Sequence, residues 1–279
     1  IGVRGRVVEG KGRGRPFVVR ARRAVVVCAS VVQSPNLLRR SGVARGHRHL
    51  GEHFMAHPGC AVTGIYRDPV HTWSGPAQGY EAYGLRDKLG VKFESINVPP
   101  EVTASRFPGA GRRFAALIEK LPHIANWACA VRADAEGSVR PSRLLGGDLI
   151  RYNPNEADLH RMRLGMKHLA EMHFAAGAVE VMPNIHGMPE VLTSPDQVRL
   201  YDDASVDPRA YSMVATHLFG TCRAGRNPAT SIVDPRLQVH GVNGLYVMDA
   251  SVFPTNTGVN PQHGIMAIAA VAARRLAAA

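Results

Sequence analysis

Two polar side chains near the end of the chain have residue types and a setting suited to acting on a bound hydroxyl group. His217 lies in the segment THLFGTC (residues 216–222), and Asn260 stands directly before Pro261. Histidine titrates near neutral pH, so it can accept a proton from a hydroxyl group within hydrogen-bond reach, roughly 3 Å away. Taken alone, His217 could equally be an ordinary loop histidine, and Asn260 could be only a helix cap.

The surrounding residues predict the elements that would position these two groups. Alternating apolar residues at 237–242 lead into the run LYVM (residues 245–248), which predicts a short buried strand. Asp249 follows it, where an open α/β sheet usually places ligand contacts. After a turn rich in Pro, Asn and Gly, an apolar run predicts a helix with Asn260 as N-cap and Pro261 in the first position. The strand end and the helix N-terminus are therefore expected to converge.

Three motifs in this part of the chain resemble those of the glucose–methanol–choline (GMC) family of FAD-dependent oxidoreductases. The family's H-x-x-G-T motif, its D-P-x-x-x-V-x-G-x-x-x-L-x-V-x-D-A-S segment and its N-P pair before the last helix match residues 217–221, 234–251 and 260–261. Their order and spacing agree as well, which is far more specific than any single motif.

The resemblance implies FAD as the cofactor and the oxidation of a CH–OH group of an alcohol, sugar or sterol by hydride transfer to the flavin. In the family, the histidine of H-x-x-G-T lies at the flavin face and the residue before the last helix is its partner. This implies His217 as the acid/base and Asn260 as the group that orients the hydroxyl. Asn260-Pro261 is similar to the His/Asn subtype of cholesterol oxidases and choline-oxidising members. The cofactor contacts that the resemblance implies are Asp249, Ala250, Asn260, Pro261 and Gln262.

The first sixty residues carry further features of the family. QSPNLL (residues 33–38) and LGEHFMAHP (residues 50–58) are similar to the family's Q-S-P-x-L-L and L-G-x-N-x-x-D-H-P segments. One departure is Ser30, which follows a predicted strand where the family usually has glycine. Considered without the family pattern, Ser34-Pro35 is explained equally well as an ordinary helix entry. No G-x-G-x-x-G fingerprint occurs in the sequence, so the resemblance implies the C-terminal half of a longer protein.

We therefore predict a mixed α/β (α+β) fold with two parts. These are an incomplete Rossmann-like FAD-binding domain and a substrate domain with an antiparallel sheet and helices on one side. The predicted division is 1–58 for the first piece of the FAD-binding domain, 59–213 for the substrate domain, and 214–279 for the returning piece with the catalytic motifs.

Local patterns predict individual elements within these domains. Residues 2–8 and 17–20 are predicted to be strands separated by a Gly/Lys/Arg turn, and the family resemblance implies that they form a hairpin. A long helix is predicted up to about residue 176, with Asn153 as N-cap and Glu156 as its capping-box partner. Its predicted apolar stripe consists of Leu159, Met162, Met166 and Leu169.

Composition argues against several other classes of protein. The net charge of +12 comes mostly from arginines spread along the whole chain, with only 6% aromatic residues, so no nucleic-acid partner is predicted. Four scattered cysteines favour neither a disulfide scaffold nor a zinc site. His47, His49, His53 and His57 do not have the spacing of a common metal-ligand set, so no metal is predicted. No apolar run reaches the length of a membrane span.

Two alternatives to an alcohol oxidoreductase remain open from the sequence. Hydroxynitrile lyases share the fold, FAD and the histidine but carry out no net redox reaction. A non-catalytic basic fragment would retain no flavin and would bind polyanions in a salt-sensitive way. For the enzyme, the expected partners are a small-molecule alcohol and an electron acceptor, either O₂ or another oxidant.

Overall fold

The computed structural model describes residues 1–7, 14–142 and 147–278. In chain order the elements are β1 (Gly2–Arg6), β2 (Pro16–Arg20), β3 (Val25–Val27), α1 (Ser30–Arg40), β4 (Glu52–Ile65), β5 (Glu81–Ala82), α2 (Arg86–Leu89), β6 (Val91–Ile96), α3 (Pro100–Ala104), α4 (Arg112–Glu119), β7 (Ile124–Val131), β8 (Gly137–Pro141), β9 (Asp148–Arg151), α5 (Glu156–Ala175), β10 (Glu180–Met182), β11 (Val214–Phe219), β12 (Leu245–Val247) and α6 (Gln262–Ala278). The predicted hairpin is present as β1 and β2, but its turn lies outside the described residues.

The chain divides into two compact units. Unit 1 consists of Ile1–Ala56, Glu136–Tyr152 and His217–Ala279, and unit 2 consists of His57–Ala135 and Asn153–Thr216. The predicted boundaries at 58/59 and 213/214 separate a cofactor-binding domain from a substrate-binding domain, and this assignment stays a prediction. The unit boundaries lie at 56/57 and 216/217. The compact units also differ from the predicted division in one internal segment, because β8 pairs with the first residues of β4, and β9 pairs with β8. These ladders place Glu136–Tyr152 in unit 1.

Unit 1 contains a parallel pair of strands, β3 and β12, in which Val27 lies opposite Val247. Both side chains are buried in a core that also contains Leu38 of α1 and Ala272 of α6. Parallel strands end at the same edge, so the residues that follow β3 and β12 are neighbours. This is the strand-end arrangement predicted for the segment before Asp249.

Unit 2 is built on an antiparallel sheet in the order β5-β6-β7-β4, with β10 also pairing with β4. Helix α5 packs on one face of this sheet, and Gly165 allows the close approach. A Cβ there would lie 2.9 Å from Val91 Cγ1 and 3.2 Å from Cys129 Sγ. The predicted apolar stripe of α5, Leu159, Met162, Met166 and Leu169, is buried against the sheet.

The N-terminus of α5 differs from its prediction by two residues. The N-cap is Asn155, whose side chain accepts a hydrogen bond of 2.8 Å from the Asp158 N–H. In return, the Asp158 carboxylate accepts from the Asn155 N–H at 3.2 Å. This reciprocal pair forms a capping box, so the predicted cap at Asn153 with Glu156 as its partner was wrong. Asp158 also accepts from the N–H groups of Asp134 and Ala135, which ties the helix start to the end of the sheet.

One histidine of α5 is fully buried in unit 2. The His173 ring stacks on Trp127, with ring centroids 3.9 Å apart. Its Nε2–H donates to the Val62 carbonyl at 3.1 Å, so Nδ1 is left to accept from the Tyr66 hydroxyl at 2.9 Å. Burial lowers the pKa of His173 to about 4. The folded protein therefore holds this imidazole in its neutral form.

We predict that His173 makes the protein sensitive to mild acid. The unfolded chain takes up the proton near the ordinary histidine pKa, whereas the folded chain resists it until about pH 4, so stability falls as pH drops through this window. The expected loss of unfolding free energy is about 2–3 kcal/mol. Urea unfolding of wild type and His173→Phe between pH 4 and 7 measures it. The variant should be less stable at pH 7 but show a flatter pH profile.

The exposed histidine on the same helix, His160, supplies the control for this experiment. His160→Gln should leave the acid-dependent loss of stability as in wild type. An equally steep profile in wild type and His173→Phe would show that other groups cause the acid sensitivity.

Candidate active site

Asp249 joins the ends of the two parallel strands in unit 1. One carboxylate oxygen accepts from the Ser30 N–H at 3.0 Å and from the Ser34 hydroxyl at 2.5 Å, both in α1. The other accepts from the Ser251 N–H at 2.9 Å. Hydrogen bonds to an ionised carboxylate are stronger than neutral ones, at about 1.5–3 kcal/mol each. Asp249 thus caps the helix after β3 and the turn after β12, and its contact with a cofactor stays a prediction.

Ser30 adopts the left-handed backbone conformation, with φ of 73°. This is the position where the family usually has glycine, and the structure gives the reason. The chain must turn sharply from β3 into α1 so that the Ser30 N–H can reach Asp249. Glycine adopts this conformation freely, whereas a residue with a Cβ pays about 1–2 kcal/mol for it. Ser30 is therefore a strained substitute.

We predict that Ser30→Gly stabilises the protein. Relief of the left-handed strain outweighs the larger backbone entropy of glycine in the unfolded chain, for a net gain of about 0.5–1 kcal/mol. Urea unfolding at pH 7 measures the change. Ser41→Gly is the matched control, because Ser41 ends the same helix with φ of −82° and carries no such strain. A gain of equal size in both variants would contradict the explanation.

Helix α1 contains a proline, and this leaves one carbonyl group without its helical donor. Pro35 has no N–H, so the carbonyl of Val31, four residues earlier, cannot form the usual helical hydrogen bond. The buried hydroxyl of Thr221 donates to this carbonyl at 2.6 Å. The threonine of H-x-x-G-T therefore completes the helix that the proline interrupts. Because α1 begins at Ser30, the interpretation of Ser34-Pro35 as a helix entry was wrong.

We predict that Thr221→Val destabilises the protein by about 1–3 kcal/mol, because the Val31 carbonyl would be buried without a donor. Thr221→Ser keeps the hydroxyl and should cost about 1 kcal/mol, for the methyl group alone. Unfolding free energies from urea titrations provide the measurement.

A double-mutant cycle isolates the cause of this effect. Pro35→Ala restores an N–H that can bond to the Val31 carbonyl, so Thr221→Val should cost clearly less in that background than in wild type. An unchanged cost would mean that Thr221 acts through packing and not through this hydrogen bond.

Gly220 of the same motif permits a close backbone approach. Its φ is 95°, and a Cβ at this position would overlap the carbonyl oxygen of His53 and lie 2.7 Å from Met55 Cε. The next carbonyl, of Thr221, accepts from the Gly51 N–H at 2.8 Å. Glycine is therefore required for the end of β11 to lie against the segment that opens β4. His217 stands three residues before this contact, on β11, with its side chain partly exposed.

The turn before α6 is organised by a buried asparagine. The Asn256 Nδ2–H donates to the Ala56 carbonyl at 2.9 Å, and its Oδ1 accepts from the Gly258 N–H at 2.9 Å. Thr257 Oγ1 donates to the Val259 carbonyl at 2.9 Å. These bonds fix the path of the chain that leads to Asn260. Asn256 was not recognised as a site residue from the sequence, although an asparagine shortly before a glycine is typical of such turns.

Helix α6 begins one residue later than predicted. The Ile265 N–H donates to the Pro261 carbonyl at 2.8 Å, which makes Pro261 the cap residue and Gln262 the first helical residue. The predicted N-cap role of Asn260 was therefore wrong by one position. Pro261 is buried, Gln262 is exposed, and Asn260 is partly exposed. The first turn of α6 contains no acidic residue to offset its positive end.

A small apolar cluster brings the predicted site elements together. Met55, Phe219 and Phe253 form it, and Ile265 of α6 packs against them. The rings of Phe219 and Phe253 lie 5.6 Å apart. Phe219 is two residues after His217 on β11, and Ile265 lies one turn into the helix that Asn260 precedes. The cluster therefore holds the strand of His217 and the helix start beside Asn260 in one core. Asp249 and Ala250 lie at the strand end a few residues before Phe253, both partly exposed.

A buried cysteine and the search for metal ligands complete the description of this region. The buried thiol of Cys222 follows the motif, and burial raises its pKa well above the usual range, so it stays protonated. Across residues 1–7, 14–142 and 147–278, no group of three or more His, Cys, Asp or Glu side chains is arranged to hold a metal ion. Over the same ranges, no helix is both long and apolar enough to cross a membrane.

Comparison with known protein families identifies two matches, both to GMC oxidoreductase. The N-terminal domain of the family matches residues 1–59, and the C-terminal domain matches residues 135–269. The two regions together cover well over half of the chain, and the second contains every predicted site residue.

Relatives with curated sequences support the same conclusion. An uncharacterized GMC-type oxidoreductase of Mycobacterium tuberculosis is 34% identical over 267 residues, covering 92% of this chain and 42% of the relative. A long-chain-alcohol oxidase of Arabidopsis thaliana is 25% identical over 274 residues, covering 91% of this chain and 36% of the relative. The chain thus spans less than half the length of these relatives.

Solved structures share the fold at lower sequence identity. Pyridoxine 4-oxidase from Mesorbium loti matches with a TM-score of 0.68 and 22% identity, over 96% of this chain and 55% of that protein. A formate oxidase of Aspergillus oryzae, studied for its FAD modification, matches with a TM-score of 0.68 and 18% identity, over 95% of this chain and 56% of that protein. At this level of identity the likeness establishes the mixed α/β fold.

Proposed function

The chain belongs to the GMC oxidoreductase family, and from this premise we propose that the protein oxidises a CH–OH group with FAD, using His217 as the acid/base. The observation that carries the proposal is the shared core of Met55, Phe219 and Phe253, which anchors both β11 and the start of α6. The two groups proposed to act on the hydroxyl stand on these two elements, and each remains partly exposed.

The described residues fit a flavin cofactor in two respects. The turn after β12 begins at the ends of two parallel strands, the usual ligand-binding edge of such a sheet. The first turn of α6 offers backbone N–H groups without helical partners and carries no acidic side chain. This end favours a ligand with developing negative charge. Asp249, Ala250, Asn260, Pro261 and Gln262 are the residues proposed to hold the cofactor.

The proposed chemistry divides between the cofactor and the chain. FAD, when bound, supplies the acceptor for the hydride that leaves the substrate carbon. His217 takes the proton of the substrate hydroxyl, which leaves a carbonyl product. Asn260 binds the hydroxyl oxygen and directs its proton toward the imidazole. General acid–base catalysis of this kind typically contributes about 10²–10⁴ in rate.

The substrate is proposed as an alcohol in the broad sense. The relatives and structural neighbours are named for long-chain alcohols, pyridoxine and formate, so the fold serves donors of different size and polarity. The described chain spans 42% of the Mycobacterium tuberculosis relative, and the activity is therefore proposed for the full-length protein.

We predict that His217→Ala in the full-length protein slows flavin reduction by about 10²–10⁴-fold. Asn260→Ala should slow it less, by about 10–100-fold, because one hydrogen bond to the hydroxyl is lost. Both variants should retain the flavin. Anaerobic stopped-flow mixing with an oxidisable alcohol measures the bleaching of the flavin band.

The adjacent exposed histidine provides the control. His263→Ala changes a side chain at the start of α6 and should leave flavin reduction nearly unchanged. Normal reduction by His217→Ala would remove the acid/base role. If no alcohol bleaches the flavin of the wild-type protein and the protein cleaves a cyanohydrin, the protein would instead be a hydroxynitrile lyase. A full-length protein that retains no flavin would indicate a non-catalytic chain.

A further inference from the structure

A line of hydrogen-bonded side chains crosses the segment between α1 and β4 in unit 1. Arg48 Nε–H donates to His49 Nε2 at 2.9 Å. His49 Nδ1 lies 2.7 Å from His53 Nε2, and His53 Nδ1 lies 2.6 Å from Glu136 Oε2. The two imidazole rings stack, with centroids 5.0 Å apart. The line thus joins the turn after α1 to the residue that precedes β8.

The donors and acceptors of this line permit only one arrangement of protons when both histidines are neutral. Arg48 can only donate, so His49 Nε2 must accept and His49 Nδ1 must carry its proton. His53 Nε2 then accepts from His49, and His53 Nδ1–H donates to the Glu136 carboxylate. Every member is satisfied, and all hydrogen bonds run in one direction.

One added proton breaks this arrangement. If His53 becomes an imidazolium, its Nε2–H points at the Nδ1–H of His49, and the two donors repel. If His49 moves its own proton to Nε2 to accept from His53, that proton faces the N–H of Arg48. The first case loses the hydrogen bond between His49 and His53, and the second loses the one between Arg48 and His49. In both cases Glu136 gains a charged partner.

The line lies directly behind the turn of the H-x-x-G-T motif. Gly220 lies so close to the carbonyl of His53 that a Cβ at position 220 would overlap it. The Gly51 N–H, inside the same segment, donates to the Thr221 carbonyl at 2.8 Å. His53 has φ of 58°, so its backbone is held in the left-handed region by its surroundings. A movement of His53 would therefore also displace the turn that begins three residues after His217.

The charged and titratable groups around the pair are mostly cationic. His47, Arg48 and Arg223 face His49, and Glu136 faces His53. Nearby, Glu52 is paired with Arg140 at 2.6 Å. Burial, followed by His53, Arg48, Arg223 and His47, lowers the pKa of His49. These surroundings thus favour the neutral form of His49.

We propose that His53 and Glu136 are positioning residues for the turn that follows β11, the strand of His217, and that the line releases this turn when the histidine pair takes up one proton. The proposal rests on the proposed function, in which His217 acts on the substrate. It adds a second group of residues, remote from the substrate, whose protonation state controls how firmly the acting histidine is held.

The first test follows amide hydrogen exchange by mass spectrometry in the full-length protein at pH 7.5 and 5.5, after correction for the intrinsic exchange rate. In wild type, peptides covering 47–53 and 216–222 should exchange about 3–10-fold faster at pH 5.5, the factor expected for one lost hydrogen bond. Peptides from α6 serve as the internal control and should change less.

The key variant is His53→Asn, because asparagine tolerates the left-handed backbone and does not titrate. Its exchange at 216–222 should depend on pH far less than in wild type. Glu136→Gln keeps the length of the side chain but removes the charge that favours protonated His53, so the release should shift to lower pH. His168→Gln removes a histidine from another His–Glu pair, 2.9 Å from Glu171 on α5, and should behave as wild type. Equal pH dependence in wild type and His53→Asn, or none in wild type, would overturn the proposal.

The second test separates this proposal from the proposed function. Flavin reduction is measured against pH in wild type, His53→Asn and His217→Ala. If both ideas hold, wild type loses rate on acidification more steeply than His53→Asn, because two protonations act in wild type and one in the variant. If His217→Ala reduces normally but the exchange result stands, only the catalytic assignment fails. If His217→Ala reduces its flavin slowly but the pH profiles of wild type and His53→Asn coincide, only the positioning role of His53 fails.

Discussion

The hydrogen bond from the Thr221 hydroxyl to the Val31 carbonyl is the constraint on which unit 1 depends most. Pro35 removes the helical donor for that carbonyl, and the site is buried, so water does not replace it. An unpaired acceptor in such a place costs about 1–3 kcal/mol. The two partners are separated by 190 positions in the sequence, so helix α1 and the turn after β11 are each complete only in the presence of the other.

Two further contacts extend this dependence around the strand ends. The Asp249 carboxylate holds the N-terminus of α1 and the turn after β12 together, and Gly220 allows β11 to lie against the carbonyl of His53. Each contact joins a segment from the start of the chain to one from its end. Each contact needs its own residue type. Glycine allows the close approach, threonine donates to a carbonyl that lacks its helical donor, and aspartate accepts from several N–H groups. Contacts within the protein therefore hold the backbone around the candidate site in place.

Much of this could be predicted from the sequence, because the signals were local or carried by a family pattern. The family, the mixed α/β class, FAD as the family's cofactor, the buried strand before Asp249 and the stripe of α5 are confirmed. The predictions that were wrong concern helix starts, where neighbouring residues compete for the same role. No local sequence pattern in residues 136–152 predicts their pairing with the first residues of β4. At the start of α5, the asparagines at 153 and 155 are both good caps, and only the position of Asp158 decides between them.

The packing of the H-x-x-G-T motif also bears on which of its residues acts on a substrate. Phe219 fills an apolar cluster, Gly220 permits a close approach, and Thr221 repairs a helix; all three are buried and have structural roles. His217 is the titratable residue of the motif, and its side chain stays partly exposed on the same strand. A residue that must exchange protons with a bound molecule needs both properties, whereas a residue of the scaffold needs neither. The structural roles of Phe219, Gly220 and Thr221 thus support the proposal that His217 is the acting group.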